Sequence, residues 1–371
     1  MKCCPKCFQD KVIIDFIQTV GQDADCDFCG AEDLTTIPAE DLGQKFNELL
    51  GLYEPADEQK YHEDESLADK ISGWGVFSDE LATEKQNAIL DEIRFGPLDP
   101  KDRSITTRSS DRWQFKWEYW EEDIWDNFSE HIKHRRRFIL DGKSLYFSEP
   151  REWLPEILAA SEMVVPPELE FYRARLGHSH NSIRHAPFPA SEMMPPPPEL
   201  ARRGRANPAG ISYFYAAEEA ETAVAEIRPY VGALVSVCSL KSKKNLKVAD
   251  ITRIHKIESP FGQPNLKAQI QRNGLMRVLN RELARPVNPD DSEIEYVPTQ
   301  YLAEAILEIG YDGIRYRSAV RKGGTNFVFF EPNELAIDSA TRLVEVDSIE
   351  VKYQDVPTTR FREIRTIESE E

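Results

Sequence analysis

Apolar residues keep helical spacing in the first half of the chain and mostly alternate in the second. Leu42, Phe46 and Leu49–Leu50 recur one turn apart, as do Leu81, Ala88, Ile89 and Ile93, so residues 40 to 160 read as helices. A longer element carries Trp113, Trp117, Trp120, Ile124 and Phe128 down one face. Such a stripe is more often a buried helical seam than a stacking platform for bases or sugars. Residues 95–112 are polar and read as a loop. After Pro166-Pro167, Glu168 to Leu176 alternates as a strand, followed by a loop rich in Pro, Ser and His. A short aromatic strand is expected from Ile211 to Ala216, then an acid-started helix with Ala220, Ala223, Val224 and Ile227 on one face. Strands are expected at 233–240, 246–250, 314–318 and 327–330. Helices are expected at 265–284 and after Thr299, the second stopping at Gly310. Residues 335–353 add strand-like pieces before a charged, frayed end.

At 371 residues the chain suggests two or three domains. Its net charge of −19 argues against general affinity for nucleic acid or anionic membrane, while leaving room for a local basic patch. His134-Arg135-Arg136-Arg137 is such a run, and a solvated face suits it as well as a phosphate backbone does. No apolar run reaches membrane-span length, and M-K-C-C-P-K-C lacks the apolar core of a signal peptide. A cytoplasmic location without membrane partners is expected.

Five of six cysteines fall in the first thirty residues. Cys4-Pro5-Lys6-Cys7 and Cys26-Asp27-Phe28-Cys29 form two C-x₂-C pairs eighteen residues apart, close to a four-thiolate zinc spacing. Four ligands leave no open coordination position, so Cys4, Cys7, Cys26 and Cys29 predict a structural zinc, with Val12 to Ile17 as a ribbon strand between the pairs. Cys3 is a poorer substitute ligand by its spacing. Gly30 follows the last ligand, where a knuckle turn often requires positive φ.

Four motifs occur together in the second half: F-Y-R-A-R at 171–175; R-x-N-x-x-G…Y-x-A…E-T-A-x-x-E from Arg205 to Glu226; Y-V-P-T-Q-Y-L-A-E at 296–304; and Y-D-G-I-R-Y-R-S…G-G-T-N-F-V-F-F from Tyr311 to Phe330. Over residues 165–335 this resembles the RES family, whose members look like ADP-ribosyltransferases in fold and consume NAD. The first 150 residues are similar to the helical HEPN-type domain that precedes some RES domains. The resemblance implies a multidomain α+β chain: a zinc ribbon at 1–38, a HEPN-like helical domain at 39–160, and a RES domain with a mixed β-sheet at 161–371. HEPN ribonucleases use R-x₄₋₆-H, which these first 150 residues lack. Arg173…His178 and Arg175…His180 fit that spacing by chance, in the RES-like part.

By the same resemblance Arg173, Glu226 and Ser318 are the arginine, glutamate and serine for which the family is named, and Arg205 and Tyr215 are further pocket residues. The loop between Arg173 and Arg205 is long for the family, which bears on pocket access. Their chemistry suits cleavage of the nicotinamide–ribose bond. Nicotinamide leaves without a general acid, and the transition state is oxocarbenium-like. A carboxylate such as Glu226 can bind the ribose and face the developing cation. Arg173 and Arg205 can grip pyrophosphate oxygens, Tyr215 can hold the departing ring, and Ser318 can orient the ribose or the amide. Singly, each residue has an ordinary alternative as a surface ion pair, a core aromatic or a strand-end turn. No G-x-G-x-x-G follows a strand and no P-loop is present, so NAD is expected as substrate and not as redox cofactor. The acceptor is phosphate or water, with Lys322-Gly323-Gly324 a candidate anion cradle or a hairpin turn. The resemblance further implies a toxin or defence-type effector held by an inhibitory partner or by its own N-terminal domain. Two rivals are ADP-ribose transfer to a macromolecule, and a degenerate scaffold beside a zinc-ribbon binding module for nucleic acid or protein.

Overall fold

The structure, a computed structural model, describes residues 1–55, 66–95, 113–115, 120–138, 150–181, 184–254, 256–263, 265–285 and 293–350. Residues 96–112 of the expected loop, Trp117 and the charged end at 351–371 lie outside the described residues. The chain forms two compact units. The first gathers Met1–Val164, Arg202–Ile211 and Lys247–Arg317, and the second gathers Val165–Ala201, Ser212–Leu246 and Ser318–Glu371.

The first unit opens with a three-stranded antiparallel sheet in the order Lys2–Cys3, Leu34–Pro38, Gln22–Ala24. Lys11–Val20 is a helix, which corrects the strand expected over Val12 to Ile17. A run rich in Val and Ile suits either state, and here the cap decides. Asp10 Oδ1 accepts from the amides of Val12 at 2.9 Å and Ile13 at 3.2 Å, satisfying two first-turn donors. Ile13 and Ile17, one turn apart, are then both fully buried.

Further helices follow at Gly43–Leu50, Leu67–Ser72, Thr83–Phe95, Trp120–His134 and Pro150–Ala159. The aromatic stripe is divided between two elements. Trp113 sits on the strand Trp113–Phe115, antiparallel to Tyr53–Pro55, while Trp120 lies on the helix Trp120–His134. Its seam is Trp125, Phe128 and Ile132, all buried, with the Phe128 ring edge-on to Tyr301 at 5.7 Å. Tyr301 belongs to Val297–Glu308, which with Leu266–Ala284 packs on this same helix. Phe46 and Phe261 meet at 4.7 Å in the unit's core. Leu246–Asp250 and Gly313–Arg317 run parallel, with Val248 opposite Gly313.

The second unit is built on an antiparallel sheet in the order Leu335–Ile337, Leu234–Ser242, Glu170–Leu176, Phe214–Ala217, Thr325–Phe329, and Arg342–Glu345 also pairs with Leu234–Ser242. The aromatic strand thus starts at Phe214, later than Ile211. Alternation gives the sheet two different faces. On one, Phe171 packs edge-on to Phe327 at 4.8 Å and Phe329 at 5.0 Å. On the other, the helix Ala220–Glu226 lays Ala220 and Val224 against Ala174, Val235 and Val237. Helices, antiparallel ladders and a parallel pair make the expected α+β architecture. None of the described helices is long and apolar enough to cross a membrane.

Candidate active site and metal centre

Glu226 is the last residue of the helix Ala220–Glu226. The helix stops there because Arg228 takes a left-handed backbone at φ 47°, a conformation that cannot continue it, and Pro229 follows. Its carboxylate is solvent-exposed, yet one oxygen is held twice. Ser318 Oγ donates to Glu226 Oε1 at 2.6 Å, and Asn326 Nδ2 donates to the same oxygen at 2.6 Å. Both are short, as expected for bonds to a charged acceptor.

Ser318 is itself fixed. Its Oγ accepts from the amides of Val320 at 3.3 Å and Arg321 at 3.1 Å, and its own amide donates to Gly324 O at 2.9 Å. A hydroxyl has one proton and two lone pairs. Here the proton goes to Glu226 and both lone pairs are filled by backbone, so the hydroxyl holds the carboxylate and has no proton left for a substrate.

The loop from Ser318 to Gly324 grips the same helix at its other end. Arg321 Nη1 donates to Thr222 Oγ1 at 3.0 Å and pairs with Glu219, the residue before the first turn. Thr325 Oγ1 donates to Glu218. Gly324 packs so closely on Thr222 that a Cβ there would lie 2.6 Å from the threonine Oγ1. Gly323, at φ 83°, makes the turn, and the Gly324 amide donates to Arg321 O at 3.0 Å. Lys322-Gly323-Gly324 is therefore a closed turn, and the Gly324 amide is not aimed at an anion.

Strand alternation separates the remaining candidates. Tyr215, Ala217, Asn326 and Ala174 point to the helix-bearing face, because Ala217 is opposite both Asn326 and Tyr172, and Ala174 packs on the helix. Arg173 points to the other face. Its guanidinium lies 4.8 Å over the Phe214 ring, and Nη1 reaches back to Tyr215 O at 3.1 Å. Burial draws the Arg173 pKa below the usual arginine value. Opposite it, burial pushes the Cys238 thiol up to about 11, with the arginine's charge opposing. Arg205 belongs to the first unit, where Nη1 donates to Glu282 O at 3.0 Å and its carbonyl accepts from Thr299 Oγ1 at 2.7 Å. The structure thus joins Glu226 to Ser318 and Arg173 to the backbone of Tyr215, and it does not place the Arg173 guanidinium on the Glu226 face.

Asn326 is the residue that sequence reasoning missed. It sits in G-G-T-N-F-V-F-F, a run otherwise apolar after the threonine, and is buried. A lone amide in a buried strand needs a partner, and that need was the available signal.

The cysteine centre is compact. The sulfurs of Cys4, Cys7, Cys26 and Cys29 all lie within 4.8 Å of one another, with Cys4 to Cys29 at 3.4 Å and Cys7 to Cys26 at 3.5 Å. Tight turns bring each pair together: the Cys7 amide donates to Cys4 O, and Gly30, at φ 75°, donates to Cys26 O. Burial, then the neighbouring thiols, push Cys4 up to about 12, and burial pushes Cys7 up as well. For Cys26 burial also works upward, but amides from Cys29 and Phe28 and the adjacent thiols outweigh it and lower the value. Soft sulfur donors crowded at this separation suit one tetrahedral cation. Cys3 lies outside the cluster, its sulfur 3.7 Å from Ile37 O.

Residues 170–352 match the family model described as the RES domain. A similar solved chain comes from the crystal structure of the M. tuberculosis MbcT–MbcA toxin–antitoxin complex. It is 17% identical, with 53% of this chain and 93% of that chain covered at a TM-score of 0.28. No curated protein matches.

Proposed function

We propose that this chain, which carries a RES domain over residues 170–352, cleaves the nicotinamide–ribose bond of NAD. The observation that carries the reading is the Glu226 carboxylate at the end of its helix, one oxygen held by Ser318 and Asn326 on a residue that is exposed to solvent. The leaving nicotinamide needs no proton. What the reaction needs is an anion already in place where positive charge develops on the ribose. Glu226 supplies it, and the two donors spare it reorganisation as the bond lengthens. Tyr215, on the same face, is assigned the departing ring. The family resemblance alone assigns the pyrophosphate to Arg173 and Arg205; the Arg173 guanidinium lies off the Glu226 face, and Arg205 belongs to the first unit. That assignment is separable from Glu226, because loss of a phosphate grip raises KM while loss of the anion lowers kcat.

Phosphate or water accepts the ADP-ribosyl group, and the product tells them apart: ADP-ribose 1″-phosphate from one, plain ADP-ribose from the other. A toxin-like role, with an inhibitory partner, accompanies this reading as the family expectation. The four cysteines are assigned one structural zinc, which ties down the first forty residues and takes no part in the reaction.

The deciding experiment incubates purified protein with NAD and follows released nicotinamide, with and without phosphate at fixed ionic strength. Loss of NAD without a labelled macromolecule supports the reading. Intact NAD after prolonged incubation removes it, and label on protein or nucleic acid replaces it with transfer to a macromolecule.

A further inference from the structure

We infer that Asn326 is a positioning residue for Glu226, sharing Oε1 with Ser318 so that Oε2 is the oxygen presented to substrate; this rests on the proposed NAD cleavage. Asn326 Nδ2 and Ser318 Oγ both stand 2.6 Å from Oε1. No described residue donates to Oε2, and the carboxylate is exposed. Two donors on one oxygen fix both the position of the carboxylate and its rotation about the terminal bond, which is otherwise broad.

The two donors reach Glu226 from different elements. Ser318 stands on the loop, held by two backbone amides. Asn326 stands on the strand Thr325–Phe329, with its backbone opposite Ala217 in the ladder. It is 4% exposed, in a strand whose next three residues, Phe327, Val328 and Phe329, are also buried. A buried amide at such a place costs stability unless both ends are used or its bond serves the site. Asn326 gives a donor to an exposed, charged partner. That is a costly way to hold a sheet together and an effective way to hold a carboxylate.

Asn326→Asp keeps the shape and replaces the donor by an acceptor; Asn326→Ala removes both. In each, kcat for NAD cleavage should fall about 10- to 100-fold with KM within about threefold, the loss expected for one hydrogen bond to a charged group. Asp should be the worse of the two, because it sets a second carboxylate against Glu226. Asn326→Ala with Ser318→Ala should lose less than the product of the single losses, since both act through one oxygen. A purely structural asparagine would instead lower the melting temperature, leave kcat per folded molecule unchanged, and combine multiplicatively with Ser318→Ala. That outcome overturns the inference.

The contact is read separately by ¹⁵N NMR. The Asn326 side-chain amide signals, assigned by their absence in Asn326→Asp, should move in Glu226→Ala, and signals that stay in place overturn the inference whatever the kinetics. Wild-type protein that leaves NAD intact removes the proposed reaction, and with it the purpose assigned to Asn326, while the NMR arm still reports on the contact.

Discussion

Ser318 Oγ donates to Glu226 Oε1 at 2.6 Å across 92 positions of sequence, joining the end of a helix to the start of a loop. Those two residues define what is most readily tested. Glu226→Gln keeps size and polarity and removes the charge. Nicotinamide release should fall by about 10²- to 10³-fold, the worth of a single electrostatic stabiliser, with thermal unfolding little changed. Turnover near wild type in a folded Gln variant would take Glu226 out of the chemistry.

Gly324 should not tolerate a side chain. A Cβ there would sit 2.6 Å from Thr222 Oγ1 and 2.9 Å from its methyl carbon. Gly324→Ala should cost about 1–3 kcal/mol, as overpacking does, and loosen the loop that carries Ser318. Adding Thr222→Ala should recover most of the melting temperature. If the double variant is no better than the single, the close approach is not the cause.

One zinc per chain is expected by metal analysis of protein purified without chelator. Thiolate binding and local folding are coupled, so a strong chelator should loosen the first forty residues and leave the proposed NAD cleavage intact. Protein free of zinc, with all four thiols reacting at once with a thiol reagent, would remove the centre.

Cys238 should make stability fall in alkali. Burial raises its pKa from the usual 9.0 to about 11, so the folded state favours the neutral thiol. That contribution is complete below pH 9 and is lost as the pH rises from 9 to 11. The urea midpoint of the wild type relative to Cys238→Ala should therefore be constant up to pH 9 and shrink beyond it. A flat difference through pH 11 would show that the thiol is not raised.

Much of this protein is decided locally and is legible along the chain. Glu170–Leu176 alternates because a strand's period is two, and the cysteine pairs announce their centre because two-residue turns bring their sulfurs together. The acids before Ala220 mark where its helix begins. Local signals fail where two local answers are close in energy. Val12 to Ile17 suits a strand or a helix, and the cap from Asp10 tips it. Trp113 shares the spacing of a helical stripe, yet pairing with Pro55 makes it part of a strand.

The site depends on distance in space, which sequence does not carry. That Arg173 faces away from Glu226 follows only from which strands are neighbours and in what register. Motif order grouped Arg205 with residues of the other compact unit. Asn326 acquires a role because folding puts its amide, 100 positions away, on the oxygen that Ser318 already holds. A side chain's type is fixed when the chain is made, but what it donates to is fixed only when burial leaves it one partner within reach.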